Sequence, residues 1–236
     1  MQIKTFDLET PRGTLVFAIQ SGKTVRRATR LLEKEPETID WVERMGPSAV
    51  FWDVGANTGG FSLYAALGTD IRVVAVEPGA VNHYLLALSA EMNGLDERIA
   101  CYCIGFDDHT HALDLAASQL MPASSFRVSG QHDAERFPHH QAVLCFAIDD
   151  FLRWFEVPPP THLKIDVPNM PAAILRGAEK TLGDGPTTDI MVELDGERFG
   201  PGELDALLSW LGELGFTQVW RHQKKNPAIA DYLFRR

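Results

Sequence analysis

The segment VFWDVGANTGGFSLYAA, residues 50–66, decides the fold of this chain. It begins with apolar, β-favouring residues, passes through Asp53 into a glycine-rich turn, and ends in an apolar run that can pack one face of a helix. Gly55, Gly59 and Gly60 allow the backbone to turn sharply and to approach a ligand without an intervening Cβ. The pattern therefore predicts a strand, a tight turn and a helix whose first N–H groups face a crevice.

The turn and the strand after it indicate the kind of ligand. A dinucleotide-binding loop would have glycine at position 57, which here is Asn57, and a P-loop would have Gly-Lys-Ser/Thr, which the turn lacks. A second apolar strand, residues 72–76, ends at Glu77, about 20 residues beyond the loop, where an acid accepts hydrogen bonds from ribose hydroxyls. Asp53 adds a carboxylate for a cationic group. Asp53 and Glu77 together favour a site for a nucleoside with an amino acid tail. The alternative is an α/β crossover that binds no ligand.

Five segments carry a family resemblance. DVGANTGGFS, then AVEP, then Asn93-Gly94, then LKIDV before ILRGAEKTL, together resemble the FkbM family of class I S-adenosylmethionine (SAM) methyltransferases, over residues 51–216. The resemblance implies a Rossmann-like α/β fold, a seven-stranded and mostly parallel sheet with helices on both faces. It also implies SAM as cofactor and O-methylation of a hydroxyl on a sugar or natural product. One departure is plain, because the family usually continues KIDV with Glu-Gly and this chain has Pro168-Asn169.

The expected cofactor site combines the loop, the ribose acid and its neighbours. In methyltransferases of this class the end of the third strand touches adenine, so Asp107 is a candidate for the exocyclic amine by resemblance only. The predicted cofactor-binding residues are Asp53, Gly55, Asn57, Thr58, Gly59, Glu77, Pro78 and Asp107.

Two residues of the LKIDV segment are the candidates for catalysis. Asp166 ends the predicted strand 162–167, and ligands of open α/β sheets bind outside the carboxyl ends of the strands near the first strand. We therefore expect Asp166 to act as base or to position the acceptor; the alternative is an Asp that caps the next helix. Lys164 is expected to pair with a nearby acid. Glu193 and Asp195 follow the next strand and are expected to line the acceptor pocket or to face solvent.

Composition limits the partners. With 236 residues, 45% of them hydrophobic, the chain suits one domain, 1–236, and its net charge of −10 argues against a nucleic-acid partner. The sequence has no apolar signal core and no apolar run long enough to span a membrane. Three cysteines, an odd count, indicate free thiols in a reducing cytoplasm. The histidines show no His-x-x-x-His pair, so no metal site is expected.

The alternation of strands and helices predicts the core, residues 48–236, with the last of its strands antiparallel. Residues 1–47 are predicted to form a hairpin and two helices that either cover the ligand as a lid or pack across a sheet edge. Residues 106–140 are predicted to hold an edge strand, 111–115, and a long loop. Asp149-Asp150 is expected to cap a helix, and residues 171–182 to form a single helix.

The arginines of the first predicted helix, Arg26, Arg27 and Arg30, are expected to be a solvated face, with recognition of an acidic substrate as the alternative. Two rivals to methyl transfer stay open. One is a nicotinamide-dependent oxidoreductase, disfavoured by the loop spacing. The other is a SAM-binding module that has lost catalysis, which the change after Asp166 keeps possible.

Overall fold

A computed structural model describes residues 3–117, 122–123, 127–128, 137–168 and 170–236 of the chain. The strands are β1 (Lys4–Thr10), β2 (Gly13–Ile19), β3 (Val50–Val54), β4 (Arg72–Val76), β5 (Ile99–Tyr102), β6 (Gly105–Phe106), β7 (His111–Ala117), β8 (Arg127–Val128), β9 (His139–Phe146), β10 (His162–Ile165), β11 (Asp189–Asp195), β12 (Thr217–Gln223) and β13 (Ile229–Arg235). The helices are α1 (Gly22–Thr29), α2 (Leu31–Lys34), α3 (Pro36–Glu43), α4 (Gly60–Ala66), α5 (Ala80–Met92), α6 (Ile148–Trp154), α7 (Pro171–Arg176), α8 (Glu179–Asp184) and α9 (Glu203–Glu213).

The described residues form a seven-stranded main sheet in the order β12-β13-β11-β10-β3-β4-β5. The five strands from β11 to β5 are parallel, and β13 is antiparallel to both β11 and β12. The order places β3 between β10 and β4, so the strand of the opening motif is the middle one of the five parallel strands. The prediction of a mostly parallel, Rossmann-like sheet is confirmed.

Successive residues of β3 point into opposite halves of the core. Phe51 packs with Leu63 of α4 and with the N-terminal segment, whereas Trp52 and Val54 pack with α6, α7 and α9 on the other face. Because both faces of a parallel sheet are covered, its strands read as nearly continuous apolar runs rather than as alternating ones. Helices therefore lie on both faces, as predicted.

The N-terminal hairpin and helices supply part of one core half. Leu15 and Phe17 of β2 and Leu31 of α2 are buried in the same cluster as Phe51. Pro36 begins α3 at a favoured first-turn position, and the first of the two predicted helices divides at Arg30 into α1 and α2. The segment packs firmly on the sheet, and its role as a lid stays a prediction.

A second sheet, ordered β6-β9-β7-β8, corrects part of the prediction for residues 106–140. The predicted strand 111–115 is found as β7, but it is not an edge strand, because it pairs with both β8 and β9. The predicted long loop falls mostly outside the described residues. The chain leaves the main sheet after β5 because β6 pairs with β9. Phe106 anchors the second sheet by stacking on Trp52, with ring centroids 5.7 Å apart.

Two helix predictions are also wrong. The segment predicted as one helix breaks at Gly177 into α7 and α8. Asp149 does not cap its own helix, α6, which begins after Ala147. Its carboxylate instead accepts hydrogen bonds from the backbone N–H groups of Lys180 and Thr181, each at 2.9 Å, at the start of α8.

Gly177 marks the junction between the helices and the second sheet. A Cβ at this position would lie 2.1 Å from the backbone oxygen of Asp107, so only glycine allows this approach.

None of the described helices is long and apolar enough to cross a membrane.

Gly177→Ala should lower the free energy of unfolding by about 1–3 kcal/mol, because the added methyl group overpacks a backbone contact. The control is Gly212→Ala within α9, where a Cβ meets no atom within 4 Å. That change should raise stability by about 0.5–1 kcal/mol through helix propensity. Urea denaturation measures both, and equal stability of the two variants would contradict the contact.

Candidate active site

A cavity of about 290 Å³ opens at the carboxyl ends of β3, β4 and β10. Its floor includes Val54, Val76 and Asp166, and Glu193 of β11 lies at one side. This main cavity lies where open α/β sheets bind ligands, and its volume is near the lower end of small-molecule sites.

The second sheet forms an apolar wall of the main cavity through Phe106, Leu113, Leu115, Val143 and Cys145. These residues were not predicted to line the site, because the segment was expected to be an edge strand and a loop. The alternation of Leu113 and Leu115 was the available signal.

The glycine-rich turn is held between β4 and β10. Gly55 has a φ of +86°, and a Cβ there would lie 2.2 Å from the backbone oxygen of Asp166. The N–H groups of Gly55 and Ala56 donate to the carbonyl of Val76 at 2.9 and 3.0 Å. Gly59 has a different role, because a Cβ there would lie 2.3 Å from Leu86 of α5. The turn is therefore fixed by backbone contacts on both sides.

Glu77 lies buried at the centre of this arrangement. Its carboxylate accepts hydrogen bonds from the N–H groups of Asn57 at 2.9 Å and Gly79 at 2.8 Å, and from the side-chain amide of Asn82 at 3.1 Å. Burial raises the pKa of Glu77 to about 7, against the opposing effect of these hydrogen bonds and the Arg27 charge. Glu77 thus joins the turn after β3 to the turn after β4, and it lines the main cavity.

A buried lysine lies between two predicted site carboxylates. Lys164 Nζ lies 3.4 Å from Asp53 Oδ1 and 3.3 Å from Asp166 Oδ2, and the hydroxyl of Ser62 donates to Asp53 Oδ2 at 2.7 Å. Asp53 and Lys164 lie opposite each other in the β3–β10 register. Both are almost wholly buried, whereas 35% of the Asp166 side chain is exposed. The predicted pairing of Lys164 with an acid is found, and Asp53 is already bonded to Ser62 and Lys164.

The neighbouring charges shift the pKa values of Lys164 and Asp166. Burial alone would lower the pKa of Lys164, but the carboxylates of Asp166, Asp53 and Glu35 outweigh burial and raise it. Burial would raise the pKa of Asp166, but the positive charges of Lys164, Lys224 and Lys34 hold it below its usual range. Both groups are therefore charged at neutral pH, and Asp166 is a weak base.

A second ion-pair network lies beside Asp166. Lys224 Nζ lies 2.7 Å from Glu193 Oε2, 3.1 Å from Asp231 Oδ2 and 3.6 Å from Glu35 Oε1. Burial raises the pKa of Asp231 to about 6, partly offset by Lys224. This network could not be predicted from the sequence, because its four residues come from four separate segments and share no local motif.

The predicted residues are not all brought together. Gly55, Asn57, Glu77 and Pro78 line the main cavity, and Asp53, Gly55, Asn57 and Thr58 line an adjoining side cavity of about 70 Å³.

Gly59 and Asp107 line neither cavity. The Asp107 carboxylate lies 3.4 Å from His111 Nε2, and its neighbour Phe106 faces the main cavity. Asp195 also lies outside, because its carboxylate accepts the N–H of Glu197 at 3.2 Å. Within the described ranges, no three His, Cys, Asp or Glu side chains converge to hold a metal ion.

Lys164→Met should lower the free energy of unfolding by about 3–5 kcal/mol near pH 7, because Asp53 and Asp166 lose their buried counter-charge. The exposed Lys225→Met, which removes one positive charge from a side chain that has no ion pair among the described residues, is the matched control. Because the Asp166 pKa is depressed in the folded state, it contributes stability above pH 3.8 that is lost as the pH falls further. Urea denaturation across pH 2–7 should show a smaller acid loss in Lys164→Met, and identical pH profiles would contradict the pairing.

Comparisons with known proteins show the family and the fold. The model of the methyltransferase FkbM domain matches residues 53–217. None of the curated proteins matches the chain. The structure of the FkbM methyltransferase of Methylobacillus flagellatus KT is similar with a TM-score of 0.57 and 16% identity, over 92% of this chain and 56% of that one. This chain therefore spans just over half the length of that protein.

Two other solved structures share the fold. The rRNA methylase of Streptococcus thermophilus has a TM-score of 0.51 and 12% identity, over 85% of this chain and 94% of that one. The precorrin-6y C5,15-methyltransferase of Geobacter metallireducens GS-15 has a TM-score of 0.50 and 12% identity, over 89% and 92% of the two chains.

Proposed function

Because the chain belongs to the FkbM methyltransferase family, we propose that it transfers a methyl group from SAM to a hydroxyl of a small polyhydroxylated acceptor, a sugar or a natural product. The observation that carries the proposal is the buried Glu77, which holds the glycine-rich turn at the edge of the main cavity. An acid in this place suits the ribose hydroxyls of SAM.

The lining of the two cavities fits the parts of the donor. Glu77 and Pro78 would contact the ribose, and the apolar wall around Phe106 and Leu115 would receive the adenine ring. Gly55, Asn57 and Thr58 lead from there into the side cavity, where the amino acid tail would lie. The sulfonium would then lie near Asp166, which borders both cavities.

Asp166 is assigned to positioning of the acceptor. SAM supplies an activated methyl group, so the protein mainly aligns the acceptor with it. A C–O bond forms while the C–S bond breaks, the sulfonium becomes a thioether, and the hydroxyl proton leaves to solvent. A base works best with a pKa near the working pH, and that of Asp166 is depressed. Its carboxylate instead accepts the hydrogen bond of the hydroxyl and fixes the oxygen for in-line attack.

Calorimetry tests the donor. The native protein should bind SAM and not NAD, and Glu77→Ala should weaken SAM binding by about 1–3 kcal/mol because charged hydrogen bonds are lost. Glu91→Ala, exposed on α5, is the control and should bind as the native protein does. NAD binding in place of SAM would establish the oxidoreductase rival. No SAM binding by the folded native protein would overturn the proposal.

Asp166→Asn separates positioning from donor binding. With hydroxylated acceptors screened on the native protein, the variant should bind SAM within about threefold of native and lose at least ~10-fold in kcat, since one charged hydrogen bond is worth about that much. The native pH–rate profile should show no acidic limb from Asp166 above pH 4, because its pKa lies below 3.8. Unchanged turnover in Asp166→Asn would contradict the assignment. Absence of turnover with every acceptor class, RNA included, would favour a binding module.

A further inference from the structure

Basic side chains of the N-terminal helices border the side cavity. Arg27 on α1, Arg30 at the junction of α1 and α2, and Lys34 on α2 all line it, across from Thr58 of the glycine-rich turn. The helices approach the turn closely, because a Cβ on Gly60 would lie 2.9 Å from Leu31 Cδ1. Arg26, Arg27 and Arg30 are all exposed, as expected of a solvated face, and two of them, Arg27 and Arg30, also border the side cavity.

The cavity's own carboxylates do not neutralise these guanidinium groups. Asp53 is bonded to Ser62 and Lys164, and Asp166 is paired with Lys164. Lys34 Nζ lies 2.5 Å from Glu35 Oε1, so its charge is already paired.

The two arginines differ from Lys34 in this respect. Within the described part of the chain, Arg27 donates one hydrogen bond, to the carbonyl of Ala123 at 3.5 Å, and its charge acts on Glu77. Among the described residues, the guanidinium of Arg30 has no hydrogen-bond or ion-pair partner. The guanidinium of Arg30 thus borders the side cavity with no described acid at ion-pair distance.

We propose that Arg30, assisted by Arg27, forms a carboxylate-binding subsite in the side cavity, for the carboxylate of the amino acid tail of SAM. A planar guanidinium donates two parallel hydrogen bonds to a carboxylate, which a lysine cannot do. The subsite lies at the end of the site opposite Phe106 and Leu115, so one elongated ligand can span both. The inference rests on the proposed function, because it assumes that SAM is the donor.

The same chemistry could serve a carboxylate on the acceptor. Arg27 and Lys34 border both cavities, so an acidic acceptor in the main cavity could also reach the cationic edge. The donor is favoured because Arg30 lines only the side cavity, which the glycine-rich turn also lines. Arg30 does not line the main cavity, where Glu193 lies.

Calorimetry with two ligands tests the subsite. SAM and 5′-methylthioadenosine share the nucleoside and differ in the amino acid tail. Arg30→Met, which keeps an unbranched stem, should weaken SAM binding about 10- to 100-fold and change 5′-methylthioadenosine binding less than about twofold, as loss of a charged hydrogen-bonded pair predicts. The control is Arg26→Met on the same helix, because Arg26 lines neither cavity and both affinities should stay native.

The other outcomes are distinct. Equal weakening of both ligands in Arg30→Met would overturn the subsite and leave a structural role for the α1–α2 junction. If SAM binding is unchanged, malonate is added to the SAM-saturated protein. A rise in Tm that Arg30→Met abolishes would keep the carboxylate subsite and assign it to the acceptor; no rise would overturn it. If native protein binds SAM and Arg30→Met binds it equally without a malonate effect, only the subsite fails. If native protein binds neither nucleoside, the proposed function fails with it.

Discussion

The carboxyl end of the sheet is organised around one buried charge, the ammonium group of Lys164. An unpaired charge in the interior is very costly, so the neighbouring groups must neutralise it. Asp53 does so from the adjacent strand and Asp166 from the chain just beyond β10. Because Asp166 must stay within reach of Lys164, the backbone after β10 passes directly against Gly55. The need for glycine in the turn thus follows from the same pairing that fixes Asp166.

In this arrangement some acids of the site hold the structure together, and another is free to contact a ligand. Asp53 is buried and bonded on both oxygens, and Glu77 accepts from the two turns beside it. Such fixed carboxylates hold the cavity open without rearrangement, which reduces the entropy cost of binding. Of Asp53, Lys164 and Asp166, Asp166 is the partly exposed one, so its carboxylate can contact a ligand. The sequence motif therefore combines scaffold residues with one contact residue.

The sequence predicted the main sheet well because its signals are local. Three local patterns each predict the end of a strand: the glycine-rich turn, the apolar run before Glu77 and the segment that ends at Asp166. Parallel strands bring their carboxyl ends together at one edge of the sheet. The second sheet was missed because β6 has two residues and β7 pairs with a strand far along the chain. The predicted helix 171–182 is interrupted at Gly177, where the backbone contacts Asp107. The sequence around Gly177 gives no local signal of this tertiary contact. Asp149 likewise caps a helix about 30 residues away, by tertiary contact rather than by propensity.

The departure from the family pattern after Asp166 has a physical counterpart in the cavity. Where the resemblance to the FkbM family led us to expect Glu-Gly, Pro168 lines the main cavity and carries no charge. A further acid at this point would add negative charge beside Asp166 and Glu193. Asp166 is paired with Lys164, and Glu193 with Lys224. Because the pKa of Asp166 is depressed, its carboxylate is a weak base and a fixed hydrogen-bond acceptor. Under the proposed function, such a carboxylate lowers the barrier by orienting a hydroxyl toward the activated methyl group rather than by removing its proton in advance.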